Sequence, residues 1–425
     1  MKILVVGGGG REHAICSKLA KSPRHPEIFC ASGNGGIQEA AHCIPISVTD
    51  FPALADFAKK EGIDLTVIGM DEPLALGIVD YFEERGLACF GPRKNAAVIE
   101  GSKAFAKDLM KKYHIPTAAY ETFSDADQAL AFLEGARFPL VVKADGLALG
   151  KGVLICQSLQ EAKEAIEQIM VKESFGTAGS KVVIEEFLQG REVSVLAFVD
   201  GKTVRIMSSA QDHKRAGDGD TGLNTGGMGA FSPSPFYTEE VDAYCKEHIY
   251  QRTVDAMEAE GRPFQGVLFF GLMLTENGVK VLEYNARFGD PETQVVLPRL
   301  KNDLVDVLSA CREGTLDQIH LEFEDLAGVC VVLASGGYPQ AYQKGYPIRG
   351  LEYFKDRTDI FCYHAGTVRK GEDILTAGGR VLGIVALDQD LKQARKKAYE
   401  AAGHVDFQDL YKRNDIGKAI DEAKN

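Results

Sequence analysis

The chain has 425 residues, a formal net charge of −13 at neutral pH and 26% charged residues. This length predicts about three domains at roughly 150 residues each. The acidic balance argues against a nucleic-acid backbone as the main ligand. Glycine accounts for 45 of the 425 residues, about 11% against a usual share of about 7%, and there is no low-complexity repeat. This excess predicts loops with unusual backbone angles or close approach to a ligand.

The cysteines and apolar segments predict the cellular setting. The nine cysteines are too far apart for a zinc or redox pair motif, and most lie in apolar stretches, as expected of small buried residues in a reducing compartment. The first apolar run is too short for a signal peptide. The longest, Val267–Leu274, is interrupted by Gly271 and cannot span a bilayer. We therefore expect a soluble, cytoplasmic protein that binds neither membrane nor nucleic acid.

Strands and helices alternate over the first hundred residues. Helical patterns cover residues 51–61 and 73–85. Apolar runs predict four buried strands, at Ile3–Val6, Ile28–Ala31, Leu65–Ile68 and Leu87–Phe90. This alternation is typical of a parallel, doubly wound sheet, with ligands at the carboxyl ends of its strands.

The pattern changes after a predicted helix at Ala104–Tyr113, which Pro116 should end. A second helix is predicted at Leu159–Met170. Short strands are predicted at Leu140–Ala144, Val153–Cys156, Val182–Phe187, Glu192–Val199 and Thr203–Ser208, the last two joined by a hairpin turn at Asp200-Gly201.

The run from Gln211 to Pro235 is polar, rich in glycine and without periodicity. Such a long loop is usually functional or disordered. A helix near Glu239–Glu260 and a hairpin of Val267–Leu274 with Val279–Tyr284 follow. The last hundred residues predict a smaller unit, with strands at Val329–Ala334, Phe361–His364 and Val381–Leu387 and a helix at Leu391–Ala402.

Four glycines, Gly7 to Gly10, follow the first strand and open a helix. The free amides and the dipole of a helix N-terminus favour a phosphate there. The dinucleotide fingerprint fails, because its sixth position is Glu12 or His13 and the second strand does not end in an acid. We favour a phosphate loop, with a structural tight turn or a nicotinamide site as alternatives. Arg11 and the turn Gly33–Gly36 could complete a pocket for a small sugar phosphate.

Two further segments suggest nucleotide binding. The stretch KADGLALGKG at 143–152 is not a Walker A loop, but a glycine-rich hairpin with a lysine at each end can fold over a triphosphate. The alternative is a flexible hairpin without a ligand. The backbone of 185–188 could pair with an adenine edge, and an acid a few residues on could hold ribose hydroxyls. The alternative there is a solvated acidic strand end.

Glu283, Asn285 and Arg287 alternate along one predicted strand and therefore project from the same face. Carboxylate and amide oxygens suit Mg²⁺ held jointly with phosphates, and arginine suits a transferring phosphoryl group. The alternative is a salt-bridged surface strand. In the polar run, Asp212 and Lys214 could bind an ammonium group and an anion, and His213 is given no catalytic part.

Together these stretches resemble the glycinamide ribonucleotide synthetase (phosphoribosylamine–glycine ligase) family, within the ATP-grasp superfamily. The likeness runs from about residue 1 to about 420, and the 287–294 and 211–233 stretches are the most specific. The matching segments are GGGGREHA at 7–14, FGPRKNAAVIEGSKAFAK at 90–107, KADGLALGKGV at 143–153, QDHKRAGDGDTGLNTGGMGAFSP at 211–233, RFGDPETQ at 287–294, LASGGYP at 333–339, HAGT at 364–367 and RNDIG at 413–417.

The resemblance implies a reaction in de novo purine biosynthesis. ATP, glycine and 5-phosphoribosylamine would give glycinamide ribonucleotide, ADP and phosphate through a glycyl phosphate, with Mg²⁺ or Mn²⁺ as the metal. The expected partners are these small molecules. We expect a monomer, with a transient hand-over from the enzyme that makes phosphoribosylamine.

The resemblance also assigns roles to residues. Arg287 is expected near the γ-phosphate, and Glu283 and Asn285 as metal ligands. Catalytic parts near the acceptor and glycine are assigned to Asp212, Lys214 and Asn224. ATP is expected to contact Lys103, Lys143, Gly150, Lys151, Glu185, Phe187, Leu188 and Glu192. The substrates are expected to contact Gly9, Gly10, Arg11, Glu12, Asn34, Asp290, Pro291 and Glu292.

The implied fold is a multidomain α/β ATP-grasp ligase. Residues 1–102 would form a doubly wound domain that binds the sugar phosphate. Residues 103–325 would form the ATP-grasp domain, with a small α/β lid at about 122–190, and residues 326–425 a mixed α/β C-terminal domain. The chain departs from the family pattern at Ser32, Met70, Asp71 and Leu223, and no acid stands near Gly271, where related enzymes often carry another metal ligand.

Other functions stay open at this point. Another ATP-dependent carboxylate–amine ligase or a carboxylase would share the fold, although no biotin or bicarbonate feature is visible. A nicotinamide-dependent oxidoreductase would use the N-terminal glycines, against their spacing. A non-catalytic nucleotide sensor would not need the lysines, the metal ligands and Arg287 together.

Overall fold

A five-stranded parallel sheet forms the N-terminal part of the computed structural model, which describes residues 1–147, 152–172, 174 and 176–423. The order β3-β2-β1-β4-β5, parallel at every pairing, confirms the doubly wound sheet. The prediction missed β3, which is short and half-buried. The strands are β1 (Lys2–Gly7), β2 (Glu27–Ser32), β3 (His42–Ile44), β4 (Leu65–Ile68) and β5 (Cys89–Phe90).

Residues 1–112 also contain six α-helices. The single helix predicted at 73–85 is two, because Gly77 adopts a left-handed conformation at φ +95° that a helix cannot continue. The helices are α1 (Gly10–Leu19), α2 (Phe51–Glu61), α3 (Asp71–Leu76), α4 (Ile78–Glu83), α5 (Lys94–Gly101) and α6 (Lys103–Lys112).

A small antiparallel sheet with its own core follows. Its order is β6-β9-β7-β8, and two helices cover it. Leu133, Val142 and Ile166 lie in this separate hydrophobic cluster. A π-helical segment, Glu167–Val171, ends the second helix. The elements are β6 (Tyr120–Phe123), α7 (Ala126–Leu133), β7 (Leu140–Ala144), β8 (Val153–Cys156), α8 (Leu159–Ile166) and β9 (Val182–Glu186).

The central part contains a four-stranded antiparallel sheet of order β11-β10-β16-β17. The helix predicted at 239–260 is interrupted by a π-helical turn at Lys246–Tyr250. The elements are β10 (Arg191–Asp200), β11 (Val204–Ile206), β12 (Gln211–Asp212), β13 (Arg215–Gly217), β14 (Thr221–Asn224), β15 (Gly229–Ser232), α9 (Glu239–Cys245), α10 (Gln251–Ala259), β16 (Gln265–Thr275) and β17 (Gly278–Asn285).

A six-stranded sheet of order β12-β15-β18-β22-β19, in which β23 also pairs with β18, has α13 packed on it, and β20 and β21 form a separate two-stranded sheet. Among the described residues no helix is long and apolar enough to cross a membrane. The elements are α11 (Glu292–Val296), α12 (Leu304–Glu313), β18 (Ala327–Ser335), β19 (Ile360–His364), β20 (Thr367–Lys370), β21 (Asp373–Thr376), β22 (Arg380–Asp388), α13 (Leu391–Ala402) and β23 (Leu410–Tyr411).

The polar run at 211–235 is ordered into four strands, which its composition did not indicate. β15 pairs with β18 and β12 with β15, so both join the C-terminal sheet, while β13 and β14 form a separate hairpin. These strands exist because distant partners complete their hydrogen bonds, and no local periodicity is required. The predicted domain boundaries at 102 and 325 and the predicted lid remain predictions.

Strand β17 is fixed to the core through Tyr284. Its ring packs edge-on against Phe270, with centroids 5.6 Å apart. Its hydroxyl lies 2.9 Å from Thr253 Oγ1, and the Thr253 hydroxyl donates in turn to the Ile249 carbonyl. Because side chains alternate along a strand, Glu283 and Asn285 must point to the opposite face.

Tyr284→Phe is expected to lower the free energy of unfolding by roughly 1 kcal/mol, because one buried hydrogen bond is lost. The control is Tyr244→Phe, at a half-buried tyrosine whose hydroxyl makes no hydrogen bond within the described ranges. That control should change stability by less than about 0.5 kcal/mol. Denaturant unfolding of both variants measures the difference, and equal effects would contradict the anchoring role of Tyr284.

Candidate functional site

The end of β17 gathers the residues predicted for the metal and the γ-phosphate. Arg287 donates from NH2 to Asn285 Oδ1 at 2.9 Å. Gly271 lies opposite Glu283 in the sheet register, and a Cβ there would be 3.1 Å from Glu283 Cγ. The position opposite Glu283 therefore supplies no second carboxylate. Across the described residues no three His, Cys, Asp or Glu side chains group as a metal cluster.

Glu100, at the end of α5, holds Arg287 and was missed from the sequence. Its Oε1 lies 2.9 Å from Arg287 NH2, and its Oε2 accepts the Ala286 amide at 2.7 Å. Burial raises the pKa of Glu100, whereas Arg287 acts to lower it. The stretch VIEGSK contains Glu100, but no spacing within it indicates a partner almost two hundred residues away.

Three lysines act electrostatically on the carboxylate of Glu283. Lys214 Nζ lies 3.4 Å from Glu283 Oε1. Lys214 is the main cause that lowers the pKa of Glu283 to about 2, and Lys143 and Lys103 add to it against the effect of burial. Glu283 is therefore ionised at neutral pH, as a metal ligand must be. These cations come from three separate stretches of chain, as a site for phosphate and carboxylate groups requires.

Lys214 also contacts Glu192, at 2.8 Å, so the residue predicted for ribose pairs with the residue predicted for the acceptor region. Asp212 is close enough to these charges for its pKa to be raised well above its ordinary value, through burial and then the nearby Glu292. Asn224 is half-buried at the end of β14, opposite Arg215. The structure thus collects these predicted residues around Lys214, and their roles stay predictions.

The adenine segment begins with a buried triple of charges. Glu185 lies 2.9 Å from Lys107 Nζ and 3.0 Å from Lys143 Nζ. Lys107, which the sequence analysis missed, also donates to Thr117 Oγ1 at 2.8 Å. Burial lowers the pKa of Lys107 to about 8, although Glu185 acts to raise it. Such a lysine on an otherwise amphipathic helix gives no local signal, because its acidic partner comes from another strand.

The other residues predicted to contact ATP differ in their burial and their partners. Leu188 is buried in a small cluster with Ala118 and Met273, and Phe187 is half-buried. Lys103 Nζ donates to the Gly146 carbonyl at 2.9 Å, so the start of the glycine-rich stretch lies on the N-terminus of α6. Gly150 and Lys151 lie outside the described residues.

The N-terminal glycine loop encloses Glu12. Glu12 Oε2 accepts the Gly9 amide at 2.7 Å, and Glu12 Oε1 accepts from Arg11 Nε at 2.6 Å. A Cβ at Gly7 or Gly69 would overlap the Glu12 side chain. The glycines here therefore make room for a buried acid, and Gly10 begins α1. The predicted sugar-phosphate contacts of Gly9, Gly10, Arg11 and Glu12 remain predictions.

Asn34 has little capacity left for a ligand. Its Nδ2 donates to the carbonyls of Gly8 (2.9 Å) and His364 (2.7 Å). Its Oδ1 accepts the amides of Gly36 (2.9 Å) and Ile37 (3.0 Å). The side chain therefore ties the N-terminal loop to the C-terminal sheet, and any substrate contact would have to come from its backbone.

Asp290 joins the three parts of the molecule. It accepts the Arg11 amide at 3.4 Å and Gln294 Nε2 at 2.8 Å, and lies 3.2 Å from Arg380 NH1. Arg380 and Arg11 hold the pKa of Asp290 below its ordinary value, although burial opposes them. Arg380 was missed from the sequence. It also donates to the carbonyl of Gly226 at 2.9 Å, next to Gly227, which packs against Pro291.

Glu292 lies beside this junction, two residues along the chain. Its Oε1 accepts from Ser194 Oγ at 3.0 Å. Burial raises its pKa. Pro291 packs closely against Gly227, where an added Cβ would lie 2.5 Å from Pro291 Cδ. Each of the three consecutive residues predicted for substrate contact, 290–292, therefore also has contacts within the protein.

Comparison with known proteins places the chain in a family. The N domain of phosphoribosylglycinamide synthetase matches residues 1–100, its ATP-grasp (A) domain matches 101–293 and its C domain matches 328–419. The chain belongs to the phosphoribosylglycinamide synthetase family. The resemblance stated from the sequence is thereby confirmed, together with the ATP-grasp fold and the enzyme class, an ATP-dependent ligase.

Individual relatives cover the full length. A phosphoribosylamine–glycine ligase of Caldanaerobacter subterraneus is 50% identical over 98% of this chain and 99% of the relative. The crystal structure of a phosphoribosylamine–glycine ligase from Thermotoga maritima has a TM-score of 0.86 at 34% identity, covering 98% of this chain and 100% of that one. A biotin carboxylase domain from Hydrogenobacter thermophilus has a TM-score of 0.74 at 16% identity, covering 97% of this chain and 91% of that one, and shares the fold alone.

The first prediction from the site concerns Lys107. Its pKa of about 8 lies below the ordinary 10.5, so the folded state binds fewer protons between these values and stability rises with pH there. Lys107→Met should remove the contribution of this lysine to the rise, worth roughly 3 kcal/mol. Denaturant unfolding between pH 7.5 and 10.5 measures it, with Lys111→Met, exposed on the same helix, as the control. A variant that keeps the wild-type slope would contradict the assignment.

The second prediction concerns Glu283. Lys214→Met should raise its pKa from about 2 towards the ordinary value, because the main stabilising cation is removed. Carboxylate NMR of the labelled protein across pH 2–6 measures this, and Lys202→Met, at an exposed turn lysine, serves as the control. If both variants titrate alike, the pairing of Lys214 with Glu283 is not what keeps this carboxylate ionised.

Proposed function

We propose that this chain joins glycine to 5-phosphoribosylamine at the expense of ATP, in de novo purine biosynthesis. The products are glycinamide ribonucleotide, ADP and phosphate. Support comes from membership of the family and from relatives of the same length that are named phosphoribosylamine–glycine ligase. The observation that carries the proposal is the contact of Lys214 with Glu283 at 3.4 Å, together with Lys103 and Lys143, whose charges also keep this carboxylate ionised.

The chemistry explains why such a cluster is needed. A carboxylate is a poor acylating agent, so a glycine oxygen attacks the γ-phosphorus and ADP leaves, giving glycyl phosphate. The amine nitrogen of phosphoribosylamine then attacks the acyl carbon, the carbon–oxygen bond to phosphate breaks, and the nitrogen loses a proton. The first step brings two anions together, the glycine carboxylate and the γ-phosphate, and fixed cations offset their repulsion while the site holds the reactants in position.

In this proposal the nucleotide lies between the small antiparallel sheet and β17. Lys103 and Lys143 contact the phosphates, and Arg287, held by Glu100, stabilises the transferring phosphoryl group. The adenine lies along 185–188 and the ribose at Glu192. The Lys214–Glu192 contact supports this placement, because it brings the ribose acid beside the phosphate cations.

Glu283 and Asn285 fit a hard divalent cation, Mg²⁺ or Mn²⁺. One is an ionised carboxylate and the other an amide oxygen on the same strand face. When bound, such an ion offsets the negative charge of the ATP phosphates. With two protein oxygens at this point, phosphate oxygens and water are expected to complete the coordination.

The acceptor lies in this proposal between the N-terminal loop and the Asp290 junction. Gly9, Gly10 and Arg11 face the phosphoribosyl group, with Glu12 and Asn34 supporting the loop. Glycine and the acceptor amine lie near Asp212, Lys214 and Asn224, beside 290–292. Support comes from the Arg11–Asp290 contact, which brings these two regions together.

A cytoplasmic location is part of the proposal, and all nine cysteines are free thiols, as expected in a reducing compartment. Monomeric action and hand-over of the labile amine are proposed with it. A second candidate is another carboxylate–amine ligation on the same fold. It differs in the amino acid or the amine that triggers phosphate release.

The test is phosphate release from ATP with Mg²⁺ and glycine, with and without fresh phosphoribosylamine. Release that requires all components, with glycinamide ribonucleotide formed, supports the proposal. Glu283→Gln should reduce turnover by on the order of 10²-fold or more, whereas Glu276→Gln, at the exposed turn of the same hairpin, should not. Full turnover in Glu283→Gln at saturating Mg²⁺ would refute the metal assignment. Release triggered by a different amine would favour the second candidate.

A further inference from the structure

The residues on both sides of Lys214 are bonded to one distant segment, 413–417. Before it, His213 Nε2 accepts the Gly417 amide at 3.1 Å. After it, the Arg215 carbonyl accepts from Arg413 NH1 at 3.0 Å. Lys214 therefore lies between two neighbours that are hydrogen-bonded to this segment, and its ammonium group contacts Glu192 and Glu283.

Arg413 is the centre of this attachment. Its side chain is 1% exposed. Nε and NH2 donate to the two oxygens of Asp415, each at 2.8 Å, and NH1 donates to Asp220 Oδ1 at 2.9 Å as well as to Arg215. One guanidinium thus bonds its own segment, the start of β13 and the turn between β13 and β14, a geometry that a lysine cannot reproduce.

Further bonds extend the contact along the hairpin. Asp218 accepts the Asn414 amide at 2.8 Å and its side-chain nitrogen at 3.1 Å. The Gly219 amide donates to Asp415 Oδ2 at 2.7 Å, and the Tyr411 hydroxyl donates to the Ala216 carbonyl at 2.6 Å. The hairpin itself is half-buried or exposed and rich in glycine, so these bonds to the C-terminal part, rather than apolar packing, hold it.

The base of the hairpin is closed at Lys214. Thr225 donates to the Lys214 carbonyl from its amide at 2.7 Å and from its hydroxyl at 2.8 Å. Movement of the hairpin would therefore be transmitted to the Lys214 backbone. A shift of about 1 Å in a positioning group can cost on the order of 10²-fold in rate.

We propose that Arg413 is a positioning residue for catalysis: by holding the β13–β14 hairpin, it fixes Lys214 against Glu192 and Glu283. The C-terminal part of the chain thereby contributes to a site whose charged groups lie in the central part. The inference rests on the proposed function for its effect on turnover, whereas the attachment itself can be measured without substrates.

The principal variants are Arg413→Met, which removes all four donated bonds, and Arg413→Lys, which keeps the charge. The matched control is Lys397→Met. Lys397 is in the same part of the chain and pairs with Asp359 at 3.0 Å and with Asp388 at 2.7 Å, and its contacts among the described residues do not involve the hairpin or the 413–417 segment.

Hydrogen exchange of the full-length protein without ligands is the first measurement. In both Arg413 variants the amides of 214–225 should exchange at least about tenfold faster than in wild type, and in Lys397→Met they should not. Unchanged exchange in Arg413→Met would overturn the attachment. This result holds whatever reaction the enzyme catalyses.

Steady-state kinetics is the second measurement. Arg413→Met should lose at least about tenfold in kcat/KM for glycine, and Arg413→Lys should not rescue it. A merely structural role would predict equal losses in Lys397→Met, or full activity in any variant that stays folded, and either outcome would overturn the proposal. If wild type releases no phosphate with glycine and phosphoribosylamine together, the proposed function fails, and the exchange data still decide the attachment.

A double variant covers the case in which Arg413→Met does not fold. Asp218→Asn with Asp220→Asn changes two exposed residues of the hairpin tip and weakens their bonds to Asn414 and Arg413. It should raise exchange in 214–225 and lower kcat/KM for glycine in the same direction, by a smaller factor. Wild-type values for both quantities would overturn the proposal.

Discussion

The electrostatic balance around Glu283 is the constraint on which the rest of the site depends. Lys103, Lys143 and Lys214 would repel one another if no carboxylate lay between them, and Glu283 would be costly to ionise without them. None of these residues is adjacent in the chain. The fold must therefore bring α6, β7 and the segment after β12 to the end of β17 and hold them there. Two further lysine–carboxylate contacts, at Glu185 and Glu192, extend the same balance towards the nucleotide segment.

The supporting framework repeats this principle with arginines. Glu100 holds Arg287, Asp290 lies between Arg11 and Arg380, and Asp415 holds Arg413. Each pair joins segments that come from different parts of the chain or closes a loop beside the site. A bidentate or multiply bonded guanidinium fixes orientation as well as distance. The charged side chains near the site are thus positioned by other charged side chains, and the hydrophobic clusters beneath supply the rigid sheets.

Prediction from the sequence succeeded where one segment carried the whole signal. The alternation along β17 placed Glu283 and Asn285 together, because the period of a strand is two. It failed at Glu100, Lys107 and Arg380, whose partners are remote in sequence. It also left the run at 211–235 without structure, since its strands pair with β18 and the segment 413–417 supplies the bonds of the hairpin.

The sequence by itself determined the alternation of β-strands and helices, the doubly wound N-terminal sheet and, through its motifs, the family. These depend on local periodicity and on residue types at fixed spacing, which the chain carries in any conformation. Only the tertiary structure decided which charges meet, which side chains are already fully bonded, as at Asn34, and which remote segment holds Lys214. Burial makes such pairings obligatory, because an unpaired charge inside the protein costs several kcal/mol, but burial itself is a property of the folded chain.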